Sequence, residues 1–174
     1  MRLLLTTAMC ICVAGCVAPK PVQWVAPHTP YIDADYAWST APGTAAITGQ
    51  AFLKTNGGDV KTCAGSDVIL IPDGPYAEDV LSTLLAGANV TLDEGFIAKK
   101  RAALCDSQGN FKFTALPAGK WLVQTTVTWN VPDVSTGGMD EQGGSLESPV
   151  ATSKTGTVEL LLTDRNLTAR KIEF

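Results

Sequence analysis

The run CDSQGNFKFTALPAGKWLVQTTVTWNV (105–131) constrains the fold more than any other stretch of the chain. DSQG reads as a turn, and Phe111, Phe113 and Ala115 then alternate with Asn110, Lys112 and Thr114. A second turn at LPAG starts a long strand in which Trp121, Val123, Thr125, Val127, Trp129 and Val131 share one face. Gln124, Thr126, Thr128 and Asn130 share the other. A period of two places alternate side chains on opposite faces of a pleated strand, so the pattern predicts half-buried antiparallel strands. A strand with one apolar face must bury it against another layer.

The rest of the chain supplies that layer. TAAITGQAFL (44–53), SDVILIP (66–72), GGSLESPVAT (143–152) and TVELLLT (157–163) are short, rich in aliphatic or β-branched residues and bounded by turn formers. Six or seven short strands in about 120 residues predict an all-β sandwich. At 174 residues and 45% hydrophobic content the chain can bury one ordinary core. One interruption reads differently. In PYAEDVLSTLLAG, Tyr76, Val80, Leu81, Leu84, Leu85 and Ala88 form an amphipathic helical stripe that Pro75 opens and Gly87 closes. This predicts a helical insertion over 75–95 that caps an open end of the sandwich, with docking of another protein as its second reading.

Three of these segments carry a family resemblance. ITGQAFL, DVILIP and CDSQGNFKFTALPAGKWLV together resemble the transthyretin-like, or prealbumin-like, sandwich of carboxypeptidase regulatory-like domains. Asp106 and Gly109 match that family's first turn, Phe111 and Phe113 its core strand, Leu116, Pro117 and Gly119 its second turn, and Trp121 its aromatic position. The match runs from Ile47 to about Thr163. The resemblance implies an antiparallel, Ig-like sandwich of about seven strands over 44–174 and a non-catalytic accessory role. It brings no active site.

The chain opens with Met1-Arg2, a short apolar stretch and the small residues Ala14 and Gly15 before Cys16. That is the layout of a secretory signal. VAGC (13–16) resembles the lipobox of bacterial lipoproteins, which implies removal of residues 1–15 and acylation of Cys16 as an anchor in the bilayer. By the same resemblance, Val17 rather than aspartate points to the outer membrane, on its periplasmic or surface side. An ordinary signal peptide leaving a free cysteine is the second reading. A metal site from Cys10, Cys12 and Cys16 lacks the usual ligand spacing. Residues 16–43 carry prolines at 19, 21, 27, 30 and 42 and read as an extended tether. Its Trp24, Tyr31, Tyr36 and Trp38 have two readings, packing of 31–40 along the outside of the domain or contacts to a partner. The loop TGGMDEQGGS (136–145), with Met139, is a further candidate contact surface.

Little in the chain points to catalysis. Once the signal is removed, Cys63 and Cys105 remain beside Cys16, and an even pair in an oxidising compartment predicts one disulfide, with two buried thiols as the other reading. His28 is the only histidine and has no partner in sequence, Asp33 and Asp35 are a poor cation site, and Asp73, Glu78, Asp79, Asp93 and Glu94 read as loop acids. No catalytic residue, metal or cofactor is expected, and the glycosylation-type sequences at Asn89 and Asn166 read as chance matches. A net charge of −4 with 17% charged residues argues against nucleic acid as a partner. No run of 18 apolar residues is present to span a bilayer as a helix. The functional expectation is an anchored envelope lipoprotein acting as a non-catalytic structural or protein-binding module with an envelope protein partner. The alternative is a carbohydrate- or peptidoglycan-binding module using Trp24, Trp38 or Trp129. Oligomeric state is not written in the sequence.

Overall fold

A computed structural model of the protein describes residues 24–169 and 171–174. Cys16, the signal region and the first part of the tether lie outside the described residues. In chain order the regular elements are β1 (Trp24–Val25), α1 (Asp33–Tyr36), β2 (Ala45–Lys54), β3 (Val60–Thr62), β4 (Asp67–Pro72) and α2 (Pro75–Leu85). They continue with β5 (Asn89–Val90), α3 (Glu94–Ile97), β6 (Arg101–Leu104), β7 (Asn110–Leu116), β8 (Gly119–Pro132), β9 (Met139–Thr152), β10 (Thr157–Leu162) and β11 (Leu167–Thr168).

The chain forms the all-β sandwich that its alternation predicts. In the first sheet β2 is central, with β10 on one side and β7 and β3 on the other. β7 and β3 run antiparallel to β2, whereas β10 runs parallel to it. The second sheet is antiparallel throughout, in the order β11-β9-β8-β4-β6. Between the sheets lies a core built from Ile47, Ala51, Val68, Leu70, Phe111, Phe113, Leu116, Trp121, Val123, Val127, Leu146 and Leu162. These are the inward positions of their strands, as the period of two requires. Cys63 and Cys105 form a disulfide at the edge of this core, with 5.8 Å between Cα atoms and 1–2% exposure.

Four expectations need correction. The first concerns β7, where Ala115 was placed with the core-facing phenylalanines. Its φ of 55° breaks the alternation opposite a register shift in β2, so Ala115 is exposed and Leu116 takes the core position. The second concerns β8, which is buried on both faces from Trp121 to Thr125 and half-buried only beyond that. The third gives the reason: α2 does not cap an open end of the sandwich. It lies against the outer face of the five-stranded sheet, where Tyr76, Ala77, Val80 and Leu84 join Ile71, Leu122, Val90, Phe96, Tyr36 and Ile172 in a second apolar core. The molecule therefore has three layers, not two. The fourth concerns 136–145, which is mostly strand. β9 pairs with β8 from Met139 onward, and the turn of this long hairpin spans only 133–138.

The second core also draws in the segment expected as tether. Residues 31–40 fold into α1 and a 3-10 turn (Ala37–Thr40), and Tyr36 is 1% exposed. Further upstream, β1 pairs in parallel with β5. From residue 24 onward the chain is thus packed on the domain.

Candidate functional site

The residues named from sequence as contacts scatter over the molecule. Tyr36 is structural. Its buried hydroxyl accepts hydrogen bonds from the backbone N–H groups of Tyr76 (3.0 Å) and Ala77 (3.2 Å). Those are the first turn of α2, whose N-cap residue Gly74 offers no side-chain cap, so a phenol from another segment satisfies donors that a helix start leaves open. Burial pushes the Tyr36 phenol above its usual range, while these two bonds oppose the shift. Tyr31 stacks on Tyr36 and donates to the Asp33 carboxylate at 2.9 Å. Trp38 is half-buried with its edge to Trp121 at 4.9 Å. A Cβ on Gly119 would come within 2.0 Å of the Trp38 ring, so only glycine permits that approach. Trp24 and Met139 remain on the surface, at 60% and 65% exposure.

Three of the acidic residues, Asp33, Asp79 and Asp93, are occupied. The Asp79 carboxylate accepts from the Thr29 backbone N–H at 2.6 Å, the main cause holding it below the ordinary carboxylate range, and lies 3.8 Å from His28. Asp33 pairs with Lys99 at 2.8 Å. Asp93 caps α3 by accepting from Gly95 N–H. Among the described residues no three His, Cys, Asp or Glu side chains come together as a metal site.

The residues that do converge lie at one end of the sandwich. There β8 and β9 run on as a hairpin, and Trp129 ends the core-facing row of β8. A pocket of about 440 Å³ opens beside it, walled by Lys54 at the end of β2 and Thr55 and Asn56 after it, by Gln142 on β9, and by Asp164 in the turn after β10. Gly143 makes room behind the indole: with φ of 101° it brings the strand close enough that a Cβ would sit 3.0 Å from Trp129 Cζ3 and 2.1 Å from the Val127 carbonyl. Gln142 donates through Nε2 to Asp140 at 2.6 Å, which leaves its carbonyl oxygen as an acceptor. The pocket thus joins one half-buried indole to two carboxamides, a hydroxyl, a carboxylate and an ammonium. That mix suits a ligand with an apolar face and several hydroxyl groups. The sequence already placed Trp129 among the candidate sugar platforms. Asn56, Gln142 and Asp164 escaped notice because they come from three separate turns and strands.

At the hairpin's tip, Val134 in the turn is 98% exposed, and Met139 at the start of β9 is 65% exposed. The turn itself is fixed by Asp133, whose carboxylate accepts from the hydroxyls of Thr136 and Ser135 at 2.7 Å each. These bonds, with the Ser135 backbone N–H, hold Asp133 at about 2.

Comparison with known proteins shows likeness in fold. No family model and no curated sequence matches the chain. A Pseudomonas aeruginosa protein provisionally named as carbohydrate-binding matches with a TM-score of 0.67 at 23% identity, over 80% of this chain and 99% of that one. The major pilin subunit of Bacillus cereus (TM-score 0.38, 14% identity, 70% of this chain and 30% of that one) is more distant. So is a DUF3823 family protein from Parabacteroides merdae (0.35, 13%, 71% and 46%). At these identities the first match establishes a shared sandwich and nothing about ligands.

Proposed function

We propose that this protein is a non-catalytic carbohydrate-binding module held on the bacterial envelope by a lipid on Cys16. The observation that carries the reading is the Trp129 pocket, which Trp129 lines together with Asn56, Gln142 and Asp164. An indole face covers the C–H face of a pyranose ring, while amides and carboxylates take its hydroxyls. The name of the Pseudomonas aeruginosa neighbour agrees with this reading. Anchoring rests on the VAGC sequence, and several acyl chains on one cysteine hold a protein on a membrane where a single chain does not.

A second reading has its own observation. The exposed Val134 and Met139 at the hairpin tip offer a small apolar contact for an envelope protein partner. Glycan arrays and isolated cell-wall sacculi, probed with the mature protein, separate the two. Under the first reading glycan is retained and Trp129→Ala weakens it at least tenfold, about 1.4 kcal/mol. Trp129→Phe, which keeps packing, should lose less. Glycan binding that keeps its full affinity in Trp129→Ala, or is lost only with Val134→Ser, sinks the pocket. In cells Cys16→Ser should stop incorporation of labelled fatty acid, and continued labelling would refute the anchor.

A further inference from the structure

The outer face of the five-stranded sheet is apolar only in part. In the row under α2, Ile71 on β4 sits beside Leu122 on β8, both buried in the second core. Two residues along, the equivalent row reads Ile69, Gln124 and Glu147 across β4, β8 and β9. Gln124 is 2% exposed, yet among the described residues neither its Nε2 nor its Oε1 has a hydrogen-bond partner, and the buried Oε2 of Glu147 has none either. Burial of an unpaired donor or acceptor costs about 1–3 kcal/mol for each group. Three such atoms side by side on a sheet face mark a place where the chain sacrifices stability.

The segment 171–174, which has no regular secondary structure, walls a pocket that Ile69 and Gln124 of this row also line. Among the described residues no backbone hydrogen bond ties it to the sheet. Side chains hold it: Ile172 is 3% exposed in the second core, the Phe174 ring lies 6.4 Å from that of Phe96, and Lys171 Nζ reaches Thr126 Oγ1 at 3.4 Å. A pocket flanks the segment on each side, one of about 550 Å³ floored by Gln124 and Thr126, the other of about 270 Å³ beside the exposed Trp24 and Ser145. Lys171, Ile172 and Glu173 are the wall between them, so lifting the segment would merge the two into one groove.

We infer that this groove is a second ligand site, for a sugar ring with a vicinal diol, and that residues 171–174 cover it when it is empty. A carboxamide carries an acceptor and a donor side by side in one plane, and two adjacent hydroxyls answer both: one donates to Oε1 while the other accepts from Nε2. Thr126 on the floor of the larger pocket offers a further hydroxyl, and Trp24 an exposed ring at the rim of the smaller one. An anion is a poorer fit, because Lys100 and Lys171 in the larger pocket are balanced there by Asp67 and Glu173. The groove shares a ligand class with the Trp129 pocket and no lining residue with it, so the two can fail separately.

The test uses the Trp129→Ala protein, in which the pocket at the sandwich end is disabled, titrated with methyl glucopyranoside and followed through the backbone amides of Gln124 and Glu147. A cover that must open reduces apparent affinity by the open fraction, so Ile172→Ala should tighten binding by roughly fivefold or more. Ile172→Val serves if the alanine variant does not fold. Gln124→Leu should abolish binding, and the fully O-methylated glycoside should not bind. Equal affinity with and without the Ile172 change overturns the cover, and binding retained by Gln124→Leu, or no binding in any variant, overturns the site.

Discussion

At the scale of single residues, Glu147 is the clearest departure from ordinary chemistry. Burial on the sheet face pushes its carboxyl up to about 7 from a usual value of 4.5. The folded chain therefore keeps a proton that the unfolded chain releases from about pH 4.5 upward. Stability must fall as pH rises through that window and level off above about 7, because the unfolded state binds fewer protons there. The carboxyl is only partly shielded, so after discounting for solvent the loss is on the order of 1–2 kcal/mol. Thermal melts between pH 5 and 8 should show the decline, and Glu147→Gln should flatten it. Asp33, Asp79, Asp106 and Asp133 are all held below the usual carboxylate range, so they act at lower pH with the opposite sign and do not blur the window. A slope that persists in Glu147→Gln would assign the effect elsewhere.

Among the elements, α2 shows how segments distant in sequence depend on each other. Its first turn is capped by Tyr36, forty residues upstream in a stretch that reads as spacer, and its Tyr76 hydroxyl accepts from Asp93 N–H ahead of α3. Tyr36→Phe would leave two buried N–H groups unpaired while keeping the ring contacts, at a cost of about 1–3 kcal/mol for each. Urea unfolding measures it, and a variant as stable as the parent would show that water or a shifted helix start replaces the phenol. The strands were legible in sequence because alternation and turn residues are local signals: β2, β4, β7, β8 and β10 lie within a residue or a few of where they were read. The third layer was not, since α1, α2, α3 and residues 171–174 contribute to it piecemeal. A signal was nevertheless present. The unbroken apolar runs Val68-Ile69-Leu70-Ile71 and Trp121-Leu122-Val123 belong to strands covered on both faces, where a strand with one wet face alternates. Of the sites, Trp129 was legible as a candidate sugar platform, but Gln124 beside Glu147 becomes visible only once β8 and β9 are in register.

For the molecule as a whole, the question is what keeps three layers together when the first sheet has only β2 at its centre. The Cys63–Cys105 disulfide answers part of it. Cys63 follows β3 of the first sheet and Cys105 follows β6 of the second, so the bridge joins the two sheets along one edge. Gly65 N–H donates to the Cys105 carbonyl and Cys105 N–H to the Ser66 carbonyl, which brace the same edge. The closed loop of 42 residues contains β4, α2, β5, α3 and β6, that is, most of the third layer. Removing the constraint frees all of that chain in the unfolded state, worth about 4 kcal/mol in the loop-entropy model. The loss should be seen as one cooperative shift, because α2 packs on Ile71 and Leu122, whose strands also form the inter-sheet core. Urea unfolding of the Cys63→Ala/Cys105→Ala protein, followed by far-UV and near-UV circular dichroism, should give coincident curves displaced to lower urea by several kcal/mol. If the near-UV signal of the aromatic cluster around Phe96 were lost first, the third layer would be a separate folding unit and the bridge would stabilise it alone.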